Sequence, residues 1–269
     1  MENKIIDIHV HIFPDYMSEK AMESLEDKYK LHFIARPILE DLLVFMDVNN
    51  IGFSIIQPVS TSILQVEVLN SWLIDIIADD PERIGAFGTI FPGYRDFQGE
   101  LSRIKRGGLK GVKFHPNFQS FYPDDEKMYG IYREIINNDL WTLFHAGDEV
   151  TPVNKLYSKV DSFIRLRRKF PEMKIILAHL GGFKLWDEVM EKIIGEDFYL
   201  DLAYTIGFLD GSKIKDIIKN HGPDRIFFGT DFPLPNSKMQ TKAFSGLGLD
   251  KDTQKKILYH NAIKKILSK

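Results

Sequence analysis

His9 and His11 stand two residues apart at the end of one apolar run, and His115, His145 and His179 each close or follow another. Asp231 comes just after the last such run. Imidazole nitrogen and carboxylate oxygen are the donors that hold zinc and similar divalent cations. Residues i and i+2 of a strand point the same way, so His9 and His11 can present both rings to one side. A single histidine at a strand end is more often a hydrogen-bonded structural residue than a ligand. The pair together with two more strand-end histidines and an aspartate points to a metal site. None of the 269 residues is cysteine. Thiolate zinc sites, iron–sulfur clusters, disulfides and a cysteine nucleophile are therefore excluded, and any metal must be held by nitrogen and oxygen.

The elements that must carry these residues follow an alternating pattern. Strand-like runs are expected at Ile5–Val10, Phe53–Val59, Ile84–Ile90, Leu109–Phe114, Trp141–His145, Lys174–His179, Phe198–Leu202 and Arg225–Gly229. Helix-like stretches lie between them, among them Leu64–Ala78, Lys127–Asn137, Ser158–Lys169, Trp186–Ile194 and Lys213–Lys219. Such alternation implies βαβ units and a parallel sheet, whose strands are buried on both faces and read as unbroken apolar runs. About eight units in a chain of this length predict a single α/β domain over 1–269, a (β/α)8 TIM barrel. An open doubly wound sheet fits less well, because no GxGxxG or GxxxxGK[ST] motif is present. In a barrel the strand ends carrying the histidines converge on one face, the face that bears active sites. Phe13–Pro37 has weak periodicity and is expected as an extended loop with a helical piece over that face. Lys251–Lys269 reads as a closing amphipathic helix.

The formal charge of −3 gives no basic footprint for nucleic acid. No apolar run approaches the ~20 residues of a membrane span. The expectation is a cytoplasmic protein that acts on a small molecule, without nucleic-acid or membrane partners.

Four motifs in order, Asp7 to Pro14 (Asp-Ile-His-Val-His-Ile-Phe-Pro), Phe144-His145, Ala178 to Gly182 (Ala-His-Leu-Gly-Gly) and Gly229 to Pro233 (Gly-Thr-Asp-Phe-Pro), together with His260-Asn261-Ala262, resemble the amidohydrolase superfamily. The likeness is to its amidohydrolase-related branch, which includes aminocarboxymuconate-semialdehyde decarboxylase. The resemblance implies one divalent metal bound by His9, His11 and His145, with Asp231 as a further ligand. Zinc is the first choice, with manganese, cobalt and iron(II) as alternatives. Three imidazoles and a carboxylate suit zinc and leave a position for water, whose pKa zinc lowers to about 7. Asp231 is placed to take the water proton as general base, and His179 to polarise a substrate carbonyl, its competing role being ligand to a second metal. The resemblance also allows a homodimer.

Two stretches depart from the decarboxylase pattern. Lys113 and His115 share a face in Lys-Phe-His-Pro; a carbamylated Lys113 would bring a second metal, whereas an unmodified Lys113 leaves one, and His115 is expected to line the pocket. After His145 the chain reads Ala-Gly-Asp-Glu where a tryptophan segment is expected. Asp7 is expected to be structural, and Arg36 and Arg95 are candidates for a substrate carboxylate. Phe13, Phe118, Phe121, Trp186 and Phe232 are candidate pocket walls, while His32, His221 and His260 are expected away from the metal. The first functional expectation is hydrolysis of an amide, ester or lactone by metal-activated water. The alternative is non-oxidative decarboxylation of an unsaturated or aromatic acid, and a barrel that binds metal without turnover ranks below both.

Overall fold

The computed structural model describes residues 4–268; the extreme ends of the 1–269 span, including the last residue of Lys251–Lys269, lie outside the described residues. The chain runs β1 (Ile5–Val10), α1 (Asp15–Tyr29), α2 (Leu39–Val48), β2 (Ile51–Ile56), α3 (Gln65–Asp79), β3 (Ile84–Ala86), β4 (Gly88–Thr89) and α4 (Phe97–Arg106). It continues through β5 (Gly111–Phe114), α5 (Pro116–Gln119), α6 (Tyr129–Asn137), β6 (Trp141–Phe144), α7 (Val160–Lys169), β7 (Lys174–Leu177) and α8 (Trp186–Lys192). Last come β8 (Tyr199–Asp201), α9 (Gly211–His221), β9 (Ile226–Phe227), α10 (Ser237–Ser245) and α11 (Lys251–Lys255), which runs on through two wider turns, Lys256–His260 and Ile263–Leu267.

All strand pairs are parallel, in the orders β1-β2-β3 and β4-β5-β6-β7-β8-β9. This is an α/β fold of the (β/α)8 type. The expected strand at Ile84–Ile90 is broken at Phe87, so that β3 joins one sheet and β4 the other. Phe87 N still donates to Ile56 O (2.9 Å) and Lys110 N to Ala86 O (2.9 Å), which carries the backbone bonding across the break. Between β9 and β1 the regular ladder gives way to single bonds. Ile8 N donates to Phe228 O, Asp231 N to His9 O and His11 N to Phe232 O. Two of these three bonds involve His9 and His11 themselves.

One apolar cluster is built mainly from strand residues, among them Ile6, Ile8, Phe53, Ile55, Leu143, Ile176 and Phe227, and is joined by Tyr259, Ala262 and Ile266 of the C-terminal helix. The other lies between strands and helices, where Val112, Phe114, Phe144 and Leu177 meet Leu73, Ile104, Phe163 and Val189. Because both faces of a strand are buried, runs such as Ile226–Phe228 carry no polar alternation. Aspartate caps fix several helix starts: Asp96 accepts from Gly99 N, Asp210 from Ser212 N and Asp250 from Thr253 N. Among the described residues the cis peptide is Phe232–Pro233, whereas Pro116 simply opens α5.

The segment Phe13–Pro37 carries the helical piece expected there, which takes up most of the segment. Fifteen of its residues form α1, in which Ser18 alone is buried. One face of this helix borders a cavity rather than the core, so no apolar stripe was needed to hold it.

Gly147, directly after His145, has φ +90°, and a Cβ there would collide with the backbone of Phe183. Gly248 also has a positive φ (+70°), but nothing lies within 4 Å of its Cβ position. Gly147→Ala should therefore destabilise the fold by at least about 2 kcal/mol, and Gly248→Ala by about 1 kcal/mol. Denaturant titration of the two variants checks the contrast, and equal losses would contradict it.

Candidate metal centre

β1 slips register against β2 between Asp7 and Val10, an irregularity of the kind that re-aims side chains beside active sites. There His9 Nε2 lies 3.1 Å from His11 Nε2. Asp231 Oδ1 is 3.2 Å from His11 Nε2 and 3.6 Å from His9 Nε2. A cation about 2.1 Å from tetrahedral donors sets those donors about 3.4 Å apart. The spacing of these three atoms matches that figure. Asp231 reaches its place from a left-handed backbone, φ 63°, held by the bond from its N–H to His9 O (2.8 Å).

The outer nitrogens decide which way the lone pairs point. His9 Nδ1 donates to Asp201 Oδ2 (2.8 Å), and His11 Nδ1 to the carbonyl of Gln57 (2.6 Å). Both Nε2 atoms then carry lone pairs that face each other, an arrangement a cation relieves. Asp201, fully buried, also accepts from the N–H groups of His179 and Ala203 through Oδ1, 3.0 Å each. His179 sits at φ 58°, its Nδ1 donating to Ala203 O (2.8 Å) and its carbonyl accepting from Trp186 Nε1 (2.9 Å). Strained backbone at two candidate site residues, Asp231 and His179, is a pattern that clusters at functional sites.

Electrostatics agree with this donor set. Burial, then the nearby Lys113 ammonium, hold His9 well below the ordinary histidine value, so the ring is neutral. Burial opposes the charge of Asp231, yet His9, His11 and His179 together keep its carboxyl below the ordinary range. Lys113 is 1% exposed, and its Nζ donates to His9 Nε2 (3.1 Å). Burial lowers its pKa to about 8 against the pull of Asp201, Asp231 and Glu149.

The structure places His145 in a neighbouring group. Its Nδ1 meets His179 Nε2 at 3.1 Å, while its Nε2 faces Glu149 Oε1 at 3.2 Å and the Asp148 carbonyl at 3.1 Å. His115 stacks on it, ring centroids 4.1 Å apart and 7° from parallel. Burial lowers the pKa of His145 to about 3, with Lys113 adding to the effect.

A cavity of about 610 Å³ opens over this floor. Its walls include Phe13, Met17, Leu25, Tyr29, Phe118, Phe183 and Tyr204, so α1 supplies much of one side. Of the expected aromatic walls, Phe13 and Phe118 line it, while Phe121 and Phe232 are fully buried core and Trp186 bonds behind His179. Arg36 is not at the cavity, because its guanidinium is committed to Asp41 (2.6 Å) and Glu40 (3.3 Å) on the surface. Arg95 is exposed and also outside the cavity. Asp7 accepts from His9 N (3.1 Å), Thr230 N (3.0 Å) and the Thr230 hydroxyl, a structural knot between β1 and the Asp231 segment. His32 is exposed beside Glu26, His221 Nε2 donates to Phe198 O, and His260 is exposed.

Sequence reasoning missed two buried carboxylates. Asp201 stands in the apolar run Phe198–Leu202, where a lone charge is itself a signal. Glu149 lies in the Ala-Gly-Asp-Glu stretch that was noted only as a departure.

Two outcomes follow from this geometry. The unfolded chain holds the Lys113 proton up to the ordinary 10.5 and the folded chain only to about 8, so the stability this residue costs is recovered as pH rises through that window. Lys113→Met should stabilise the metal-free protein at pH 7 and lose that advantage toward pH 10.5, read from urea midpoints; an advantage independent of pH would contradict the burial argument. Asp201→Asn should weaken divalent-metal binding about 10–100-fold by freeing the His9 ring, measured by calorimetry, and unchanged affinity would remove Asp201 from this role.

Several solved structures share the architecture. 2,6-Dihydroxybenzoate decarboxylase complexed with 2,6-dihydroxybenzoate superposes with a TM-score of 0.76 at 18% identity, over 98% of this chain and 99% of that one. Dihydroxybenzoic acid decarboxylase from Polaromonas sp. JS666, with bound manganese and the inhibitor 2-nitroresorcinol, gives 0.77 at 19% identity over 97% and 96%. An uncharacterized Tim-barrel protein from Bordetella bronchiseptica gives 0.77 at 18% over 98% of each chain. At these identities the likeness establishes the fold alone. No curated protein matches the sequence. Among the described residues no helix is long and apolar enough to cross a membrane. The amidohydrolase family profile matches residues 6–265, nearly the whole length, and the chain therefore belongs to the amidohydrolase family.

Proposed function

We propose that this protein is a metal-dependent, non-oxidative decarboxylase of an aromatic or unsaturated carboxylic acid. The observation that carries this reading is the contrast between the cavity's ring-lined walls and its floor of imidazole, carboxylate and Lys113. A planar acid fits such a space with its apolar body against the walls and its oxygens on the floor. The decarboxylases of similar fold, one holding 2,6-dihydroxybenzoate and one manganese with 2-nitroresorcinol, support it. Hydrolysis, the first expectation from sequence, takes second place. It is favoured by the ionised Asp231, whose carboxylate can accept a hydrogen bond from a water beside the histidine pair, and by the absent tryptophan segment after His145.

The donor set fits a divalent cation, because His9, His11 and Asp231 bring three donor atoms together with both lone pairs oriented. The cation would supply charge to draw electron density from the substrate oxygens. Manganese and zinc both accept two imidazoles and a carboxylate.

The chain's own groups supply the rest. Decarboxylation exchanges the carboxylate for a proton: the carbon–carbon bond breaks, its electron pair stays on the substrate carbon, and carbon dioxide leaves. At neutral pH His9, His145 and His179 are neutral and Asp231 is ionised, whereas Lys113, with a pKa of about 8, holds a proton. Lys113 Nζ is accordingly the proton donor to that carbon in this reading. Apolar walls disfavour the anionic acid relative to neutral carbon dioxide and exclude water from the carbanion-like carbon. His179 Nε2, an acceptor because Nδ1 donates to Ala203 O, can take a hydrogen bond from a substrate hydroxyl beside His145.

A panel of ortho-hydroxybenzoic acids assayed for carbon dioxide, against amides, esters and lactones assayed for proton release, tests the proposal. Carbon dioxide from at least one acid is expected, with a loss of at least about 100-fold in Asp231→Asn and in Lys113→Met. Proton release from the second panel with no carbon dioxide from the first would reverse the order of the two readings.

A further inference from the structure

Tyr29, on the cavity wall, commits its hydroxyl to Glu149 Oε2 (2.9 Å), and the core ring of Tyr132 commits its own to the Pro123 carbonyl (2.9 Å). Tyr204 also lines the cavity and is only 4% exposed, yet among the described residues its hydroxyl has no hydrogen-bond partner. A tyrosine buried to this degree normally finds one. We infer that the Tyr204 hydroxyl is the hydrogen-bond donor to the substrate carboxylate that leaves as carbon dioxide, a role that rests on the decarboxylase reading above.

The chain is fastened just before this residue. Ala203 N–H donates to Asp201 Oδ1 (3.0 Å), and the Ala203 carbonyl accepts from His179 Nδ1 (2.8 Å) and from the Thr205 hydroxyl (3.0 Å). Tyr204 follows at φ 50°, a left-handed backbone that is costly for a bulky side chain. Of the other described non-glycine residues lining the cavity, only His179 and Asp231 share that backbone, and both belong to the site. The ring is wedged between Phe208 and Phe183, with centroids 4.8 Å and 6.0 Å away. Phenylalanine would fill that wedge equally well, so packing does not account for the hydroxyl.

Burial, then the Asp231 carboxylate, push the Tyr204 phenol up to about 12, so it keeps its proton at neutral pH and is a donor. Asp231 acts on it without being bonded to it, which sets the donor beside the candidate metal group. A substrate carboxylate only accepts hydrogen bonds, whereas a substrate hydroxyl can also donate. The two kinds of oxygen on a hydroxy acid therefore find different partners, Tyr204 for the carboxylate and His179 Nε2 for the hydroxyl. Phe183 lies between these partners, 5.8 Å from the His179 ring and 6.0 Å from the Tyr204 ring. Negative charge leaves the carboxylate as the carbon–carbon bond breaks, so this hydrogen bond is strongest before reaction. Its removal therefore raises KM rather than lowering kcat.

Full-length protein loaded with manganese is compared with its Tyr204→Phe variant, which keeps the ring and its packing. Urea midpoints should coincide, because the hydroxyl bonds to no other group of the protein; a lower midpoint for the variant would give it a structural partner and overturn the inference. Benzoate, which carries the carboxylate alone, should bind about 10–100-fold more weakly to the variant in calorimetry, and phenol equally to both. With any hydroxybenzoic acid that yields carbon dioxide, KM should rise by the same factor while kcat stays within about threefold. Unchanged benzoate affinity and KM would overturn the assignment and leave decarboxylation standing. A fall in kcat of at least about 10-fold at constant KM would overturn it in favour of a substrate oxygen that gains charge. Carbon dioxide from none of the acids would remove the decarboxylase reading itself, and the role of Tyr204 with it.

Discussion

The buried carboxylate of Asp201 is the constraint on which the rest of the site depends. One oxygen takes the Nδ1 proton of His9, while the other takes the backbone N–H groups of His179 and Ala203. A single side chain at the end of β8 thus fixes the ring of a β1 histidine and the turn that carries His179. Burial pushes this carboxyl above the ordinary aspartate value, and those donors are what offset the cost of keeping it there. The same rule repeats around the floor, with the carbonyl of Gln57 behind His11 and that of Ala203 behind His179. Each outer partner decides where an inner lone pair points, and inner lone pairs that oppose one another call for positive charge.

What can be read from sequence divides along this line. His9, His11, His179 and Asp231 are legible because strand periodicity brings strand ends to one face, and fold class follows from the same alternation. The break at Phe87 is not, since an apolar run gives no sign of which neighbour each half will pair with. Asp201 and Glu149 are hidden for a different reason: a lone carboxylate has no spacing, and its role appears only when its partners come from elements far apart in the chain. His145 illustrates a further limit. Its strand-end position identifies it as a site residue, but only the folded chain shows that one of its nitrogens faces the Asp148 carbonyl and the other His179.

Helix α1 shows how weak periodicity can carry information. A helix packed on a core needs an apolar stripe. This one presents Tyr16, Met17, Lys20, Leu25 and Tyr29 to a cavity and buries only Ser18. Tyr29 ties its end to Glu149, so the wall of the cavity and the second histidine group are joined by one hydrogen bond. Arg36 fails as an anion-binding residue for an equally physical reason: two neighbouring carboxylates already neutralise it.

The central claim is that the outer partners of His9 and His11 place the proton on Nδ1 and turn both Nε2 lone pairs inward. Long-range proton–nitrogen NMR of the metal-free protein, with 15N-labelled histidine, reads tautomers directly. The account predicts protonated Nδ1 and unprotonated Nε2 for both residues at pH 7, with both Nε2 signals shifting when a divalent cation is added. Nε2–H tautomers or doubly protonated rings for this pair at pH 7 would contradict it.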